Sequence, residues 1–525
     1  MTQNNINFNI KGITTFRSLK PKLIDNITLL NKDNRNNENL SINQSQIKSG
    51  NTDDGEVNGQ ENDQEPSFWI EGYGCSASFS DVEMIAGQLK NNGFKISNNP
   101  NKSSINLIVT CSVKDVTEHK MIHRIKRLSE NNKPLVIAGC LPSADLKLVE
   151  KISPNASLMG PNSIDKTIEI VNSALNGQKT ISLQNSELEK IDFPKIRINP
   201  IISIIQIASG CLSECSFCQT KLAKGDLQSY RVGRILNQIR QDVITGAKEI
   251  WLTSTDNGCY GRDIGTNLAE LLKRCVEIEG DFKIRVGMMN PMYLRDMIPD
   301  LLNTYLNSNK IFKFIHIPVQ SGSEIVLRKM KRGHTAKTFK EIVRQFRENM
   351  PDMTIATDII TGFPDETDDD FELTLKMITD LEPDIINSSK FSPRPGTTAS
   401  KMKRINHELL LKRSERLHNI IKQIAKKRNA RWLNWEGNIL IDEIENGLLK
   451  GKNQYYKSVI IKEFKENLLT NIKEDNDSKS SFTKSNKNIY PTSSNNHKNR
   501  LTLGNTIKVK ITGYSNHMLE GIQIT

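Results

Sequence analysis

Residues 208–225 read ASGCLSECSFCQTKLAKG and place Cys211, Cys215 and Cys218 within eight residues, with gaps of three and then two. A structural zinc site normally takes four protein ligands. A four-iron cluster also has four corners, so three thiolates leave one iron free to bind a substrate or cofactor. Residues 201–208, IISIIQIA, form an apolar run of strand length just before the loop. Gly210 permits close backbone approach there. The three cysteines therefore open at a strand end, and that strand begins a series.

The series continues through EIWLTS (249–254), FKIRVG (282–287), FKFIHIPV (312–319), MTIATDII (353–360) and DIINSSKF (384–391), with helical patterns between. Six βα units in about 220 residues predict a partial (β/α)6 barrel, whose chemistry gathers at the C-terminal strand ends. Cys211, Asp256, Asn290, Gln320, Gly362 and Arg394 fall at those ends.

Upstream, three apolar runs each end in cysteine: FWIEGYGC (Cys75), NLIVTC (Cys111) and PLVIAGC (Cys140). Helical patterns separate them, as in SDVEMIAGQLKNNG, so each interval is about one strand–helix–strand unit. The fold class expected is α/β, with a flavodoxin-like parallel sheet at the N-terminus. Parallel strands share a C-terminal edge, where open α/β sheets bind ligands. That edge would collect the three cysteines.

The expected organisation is an Asn-rich tail (1–66), the sheet domain (67–175), a linker (176–200), the barrel with a basic C-terminal helix (201–433), and a small β-barrel (434–525). The β-barrel carries a polar insertion at about 473–500. Residues 31–67 lack any aromatic side chain, and such a segment buries too little apolar surface to offset chain entropy. The basic helix holds Lys412, Arg413, Arg416, Lys422, Lys426, Lys427, Arg428 and Arg431, and the β-barrel mixes Lys450, Lys452 and Lys457 with Tyr455 and Tyr456. Both suit phosphate tracking and base stacking on single-stranded RNA. The net charge of +12 fits a polyanionic partner. No apolar run reaches the roughly 18 residues of a membrane span, and MTQNNINFNI lacks the features of a secretory signal. A cytoplasmic protein without a membrane partner is expected.

The spacing Cys211–x3–Cys215–x2–Cys218, with Phe217 before the third cysteine, resembles the radical S-adenosylmethionine signature. GCLSECSFCQTKLAKGDLQSYRVGRI and the upstream loops GYGCSASFSDVE, VTCSVKDVTEHK and IAGCLPSA resemble the methylthiotransferase branch. CQTK and IGTNL resemble its archaeal and eukaryotic subgroup, which modifies threonylcarbamoyladenosine in transfer RNA. The first upstream loop departs from the pattern, with Ser78 and Phe79 where relatives often carry Asn. The C-terminal barrel resembles a TRAM domain.

The resemblance implies two 4Fe–4S clusters, one on Cys211, Cys215 and Cys218 and one on Cys75, Cys111 and Cys140. It implies S-adenosylmethionine on the open iron of the first, cleaved by one electron to a 5′-deoxyadenosyl radical. It further implies a tRNA methylthiotransferase that turns N6-threonylcarbamoyladenosine at position 37 into its 2-methylthio derivative, acting as a monomer. The chain holds no flavin motif, so an external electron donor protein is expected. Alternative targets are isopentenyladenosine in tRNA and an aspartate of a ribosomal protein. A non-catalytic iron–sulfur RNA-binding protein is the alternative from another class.

By the same resemblance Gly362, in ITGFPDET, approaches the adenine of the cofactor. Gln320, Ser321 and Gly322, at another strand end, are candidates to line the same cofactor pocket, with a turn as the alternative role. Thr253, Asp256 and Asn257 are candidates for the methionine end of the cofactor or the substrate, with a plain loop as the alternative. Arg394, in SPRPGT, is a candidate cofactor-binding residue, suited to a carboxylate or phosphate, with a structural ion pair as the alternative. His316 reads as a hydrogen-bonded barrel residue. Cys259 and Cys275 lie outside both triads and read as structural.

Overall fold

The computed structural model describes residues 65–112, 115–184, 189–445, 448–463 and 501–524. The tail, except for its last two residues, and the insertion at 473–500 lie outside the described residues. Among the described residues no helix is long and apolar enough to cross a membrane.

The N-terminal sheet comprises β1 (Ser67–Gly72), β2 (Lys95–Ile96), β3 (Ile105–Thr110), β4 (Leu135–Gly139), β5 (Ser157–Met159) and β6 (Ile181–Ser182). The order is β2-β1-β3-β4-β5-β6, and every pairing is parallel. Side chains alternate between the faces of a strand. Phe68, Ile70 and Leu107 accordingly fill one core, while Trp69, Ile108 and Ile137 fill another on the opposite face. The helix after β1 (Ser76–Asn91) covers the first core and the helix after β3 (Asp115–Ser129) the second. The connections thus diverge between β1 and β3, creating the crevice at which such sheets bind ligands. Cys75 and Cys111 follow these two strands, and Cys140 follows β4, the next strand along.

Residues 176–184 and 189–200 of the stretch expected to be a linker are built into the structure. They supply β6, and Lys190 makes a buried ion pair with Asp81 at 3.0 Å. The Ile198 N–H donates to Glu83 Oε1 at 2.9 Å. The apolar residues Phe193, Ile196 and Ile198 pack against the first core. The alternating polar residues hid these contacts from a reading by composition.

The central domain contains β7 (Ile202–Gln206), the short antiparallel pair β8 (Ala208–Ser209) and β9 (Gln228–Ser229), then β10 (Glu249–Thr253), β11 (Lys283–Val286), β12 (Phe314–His316), β13 (Thr354–Thr361) and β14 (Ile385–Lys390). β7, β10 and β11 form one parallel sheet, and β12, β13 and β14 another. Ile284 joins them by accepting from the Phe312 N–H at 3.0 Å and donating to the Lys310 carbonyl. The result is the six-stranded partial barrel expected from the sequence. Ile202, Ile204 and Trp251 extend the N-terminal core onto it, so the two domains share a hydrophobic seam.

β15 (Glu436–Glu445), β16 (Leu448–Asn453), β17 (Ser458–Glu463), β18 (Thr506–Tyr514) and β19 (Leu519–Gln523) close into a barrel in the order β15-β16-β17-β19-β18. Alternate residues such as Ile439, Ile441, Val509 and Ile511 fill it.

Part of the expected RNA-facing patch of this barrel forms a structural seam. Tyr456 is buried, with its ring centroid 4.9 Å from that of Phe312 and 4.8 Å from that of Phe314. Lys452 is half-buried and paired with Asp442, and Lys450 is paired with Glu445 at 2.7 Å. Lys457 reaches Asp384 at 3.2 Å. Most cations of the helix His407–Ala430 are also paired: Lys412 with Glu408, Arg413 with Glu366 and Asp368, Arg416 with Glu372, Lys427 with Glu382 and Arg428 with Asp384. Just beyond the helix, Arg431 pairs with Asp352. Basic composition did not reveal the pairings of Arg413, Arg416, Lys427, Arg428, Arg431 and Lys457 because their acidic partners lie about 40 to 80 residues away in the chain.

Candidate functional site

Three adjacent strand ends bring Cys75, Cys111 and Cys140 together. Gly74 has φ +117°, and a Cβ there would lie 2.4 Å from Cys111 Cβ, so the β1 loop passes directly over Cys111. The Cys111 N–H points at Met121 Sδ at 3.3 Å. Thr110 Oγ1 donates to the Ala138 carbonyl at 2.6 Å and accepts from the Leu141 N–H at 3.2 Å, tying the ends of β3 and β4. Cys111 and Cys140 are buried and Cys75 is exposed. Burial pushes the Cys140 thiol up to about 11.

Two further features suit this triad to an anionic cluster. Ser112 Oγ, next to Cys111 in the chain, and Ser143 Oγ, three residues after Cys140, are buried without a hydrogen-bond partner among the described residues. Lys224 is buried, and burial opposes its charge, yet Cys140, Asp81, Cys75 and Cys111 together raise its pKa. A cation held against three thiols compensates the charge that three thiolates would bring.

The second triad lies on the loop after β8. Gly210 has φ +67°, and a Cβ there would lie 1.7 Å from the Asp226 carbonyl oxygen, so no larger residue fits the turn. Ser216 fastens the far side of the loop: its N–H donates to the Met330 carbonyl at 3.0 Å and its Oγ to the Lys329 carbonyl at 2.8 Å. Phe217 packs edge-on against Phe363, with centroids 6.4 Å apart. The Ser213 N–H approaches Cys211 Sγ at 3.3 Å, and Arg332 Nη1 approaches Cys215 Sγ at 3.2 Å. Such N–H···S contacts fit thiolate sulfur bound to iron.

Cys259 was read as structural, yet its Sγ lies within 4.8 Å of Cys211 Sγ and an Asp256 carboxylate oxygen. Its thiol hydrogen lowers the pKa of Cys211. Cys275 is packed in the barrel core, away from either triad. His316 Nε2 is hydrogen-bonded to Asp358 at 2.9 Å.

The other candidate residues occupy varied places. Asp256 is buried beside Cys211, and Oδ1 accepts from the N–H groups of Gly258 and Asn290 at 2.9 and 3.0 Å. Gln320 follows the end of β12 with φ +79° and a buried Oε1 that has no partner among the described residues. Arg332 Nε and Thr361 Oγ1 are likewise buried and unpartnered, so this end of the barrel has polar atoms to offer a polar ligand. Thr253 faces the sheet domain, its Oγ1 2.9 Å from Ser76 Oγ.

Ser321 and Gly322 pack against the helix Asp368–Leu381: Ser321 Oγ meets Thr374 Oγ1, and a Cβ on Gly322 would lie 2.5 Å from the Leu373 carbonyl oxygen. Gly362 faces Leu410 and Ile405. Arg394 is buried and pairs with Glu118 of the sheet domain. Arg332 and Lys224 went unassigned in the sequence; a lone basic residue beside glycine, as in KRGH and LAKG, carries no pattern of its own.

The two triads meet through one short helix, Gln219–Lys224. Cys218 is its N-cap, and Lys224, its last residue, lies within electrostatic reach of Cys140. Gln219 Nε2 donates to the Ala144 carbonyl at 3.4 Å, joining this helix to the one that Cys140 begins. Six residues span about 9 Å of helix axis.

The chain matches the Radical SAM superfamily over residues 205–378 and the Uncharacterized protein family UPF0004 over residues 67–160. It is 40% identical over 399 residues to the "Probable threonylcarbamoyladenosine tRNA methylthiotransferase" of Pyrococcus abyssi, covering 75% of this chain and 93% of that one. It is 37% identical over 403 residues to the "Threonylcarbamoyladenosine tRNA methylthiotransferase" of Homo sapiens, covering 75% and 69%. Among solved structures, the radical S-adenosylmethionine methyltransferase TsrM from Kitasatospora setae is similar over 64% of this chain and 75% of its own, at 13% identity and a TM-score of 0.48. By its likeness over nearly the whole length of the archaeal relative, this chain belongs to the threonylcarbamoyladenosine tRNA methylthiotransferase family of the radical SAM superfamily.

Proposed function

We propose that this chain converts N6-threonylcarbamoyladenosine at position 37 of transfer RNA to its 2-methylthio derivative. Cys211, Cys215 and Cys218 hold the 4Fe–4S cluster that binds S-adenosylmethionine, and Cys75, Cys111 and Cys140 hold a second cluster. The observation that carries this reading is the placement of two three-cysteine sites at either end of one short helix. When bound, the clusters and S-adenosylmethionine supply the electron, the radical, the methyl group and the sulfur needed to replace an aromatic C–H by C–SCH3.

The protein's own residues arrange this chemistry. Gly210 and Ser216 fix the cluster loop at both ends. The Ser213 N–H and Arg332 guanidinium direct hydrogens at cysteine sulfur. Gln320, Thr361 and Arg332 keep buried polar atoms free for the cofactor. Lys224 balances charge at the upstream triad. The five-stranded barrel acts as a TRAM-like RNA-binding module. An external protein supplies the electrons.

Nucleoside mass spectrometry of tRNA from a deletion strain tests the reading. Loss of the 2-methylthio-threonylcarbamoyl nucleoside, with accumulation of its precursor and restoration by the wild-type chain but not by Cys215→Ala, is expected. An unchanged nucleoside profile, or loss of a methylthio-isopentenyl nucleoside instead, overturns it.

A further inference from the structure

The helix Asp115–Ser129 differs from the other basic helix of this chain. Its buried stripe, Met121, Ile125 and Leu128, packs into the second core of the N-terminal sheet. Two charged residues anchor it: Arg124 pairs with Glu71 at 2.9 Å and lies over the Trp69 ring, and Glu118 pairs with Arg394. His119, Lys120, His123, Lys126 and Arg127 are exposed, and among the described residues they enter no ion pair. Along the helix His407–Ala430, by contrast, most cations are neutralised by acidic partners.

This basic face is concave and lies beside the upstream triad. Tyr73, His119, Lys120, His123, Arg124 and Arg127 line a basin of about 470 Å³. Tyr73 stands two residues before Cys75, and Met121, on the same helix, contacts the Cys111 N–H. A ligand on the basin therefore lies next to the strand ends that carry the upstream cysteines. Unpaired cations mixed with imidazole and phenol rings are the surface chemistry that contacts phosphates and bases together.

We propose that this basin docks the phosphate backbone of the tRNA substrate and so delivers the modified nucleoside to the edge between the two cysteine triads. The proposal rests on the tRNA reading above and names the surface that serves it. It adds to the barrel surface first expected, of which Tyr456 and Lys457 are buried in the seam between the barrels.

The test measures binding of unmodified tRNA by the cluster-loaded K120E/R127E variant over a range of salt concentrations. Each phosphate contact contributes about 0.9 to the slope of log K against log [salt]. The variant is expected to bind at least about tenfold more weakly, with a slope smaller by about two. Hydrogen exchange on the wild-type protein provides a second measurement, with slower exchange in the helix 115–129 expected on adding tRNA. Unchanged affinity and slope, or unchanged exchange in that helix, overturn the proposal. Unchanged tRNA affinity with slower reduction by an electron-donor protein also overturns it, and gives the surface to that protein. Failure of the wild-type chain to bind tRNA at all would instead overturn the tRNA reading itself.

Discussion

Arg332 places Nη1 3.2 Å from Cys215 Sγ and fixes Nη2 on the Pro318 carbonyl at 2.7 Å. The side chain is buried, so this charge acts through little water. A cation and an N–H···S bond both favour the more reduced, more negative cluster. Arg332→Gln should therefore lower the midpoint potential of the S-adenosylmethionine-responsive cluster, shifting its one-electron equilibrium about tenfold, or about 59 mV. Potentiometry followed by electron paramagnetic resonance measures this. The same substitution at exposed Lys331 should leave the potential in place.

Asp384 holds the seam between the barrels. Lys457 and Arg428 contact it at 3.2 and 3.0 Å, and Arg347 lies at 3.5 Å. Removing one member of a buried ion network leaves its partners charged and dry, at a cost of about 3–5 kcal/mol. Asp384→Ala should lower unfolding free energy by an amount in that range in a denaturant titration. Lys457→Met should destabilise less, and should leave the salt dependence of tRNA binding unchanged, because that lysine faces protein.

Gly210→Ala should dislodge the loop triad alone. The added Cβ meets backbone that cannot move independently, at 1.7 Å. A two-cluster enzyme holds about eight irons, and this variant should retain about four. Its far-ultraviolet circular dichroism should match the wild type. Iron and labile-sulfide analysis of anaerobically reconstituted protein gives the count.

Glu83 links stability to pH. Burial holds its carboxyl up at about 8, against the pull of Lys195 and the Ile198 N–H. An unfolded glutamate titrates near about 4.3, so between these values the folded chain binds the extra proton. This contribution is full below the unfolded value and is lost as pH rises through about 8. Glu83→Gln keeps the oxygen that accepts from Ile198 and removes the titration. The variant's stability relative to wild type should rise between about pH 5 and about pH 9 by on the order of a few kcal/mol. Thermal unfolding of both proteins at each pH measures the difference.

The six barrel strands and the three cysteine-ending strands were legible because apolar runs of strand length report burial directly. The shared edge of Cys75, Cys111 and Cys140 followed from parallel pairing, and neighbouring β1, β3 and β4 supply it. Composition cannot tell a cation facing solvent from one facing Asp442 or Asp384, as Lys452 and Lys457 do, nor an exposed ring from one packed on Phe312 and Phe314, as Tyr456 is. Ser321 and Gly322 follow a strand end as expected, and they also pack against the helix after the neighbouring strand β13. Arg332 and Cys259 reach the cysteine loop only through tertiary folding, from 117 residues away in the case of Arg332.

The central claim is that this chain itself performs the methylthiolation. The direct measurement incubates the reconstituted, reduced protein with S-adenosylmethionine and tRNA bearing threonylcarbamoyladenosine, then digests the tRNA for mass spectrometry. The 2-methylthio nucleoside should appear with wild-type protein and be absent with Cys111→Ala or Cys215→Ala. Unconverted threonylcarbamoyladenosine, in a preparation that holds both clusters and cleaves S-adenosylmethionine, would contradict it.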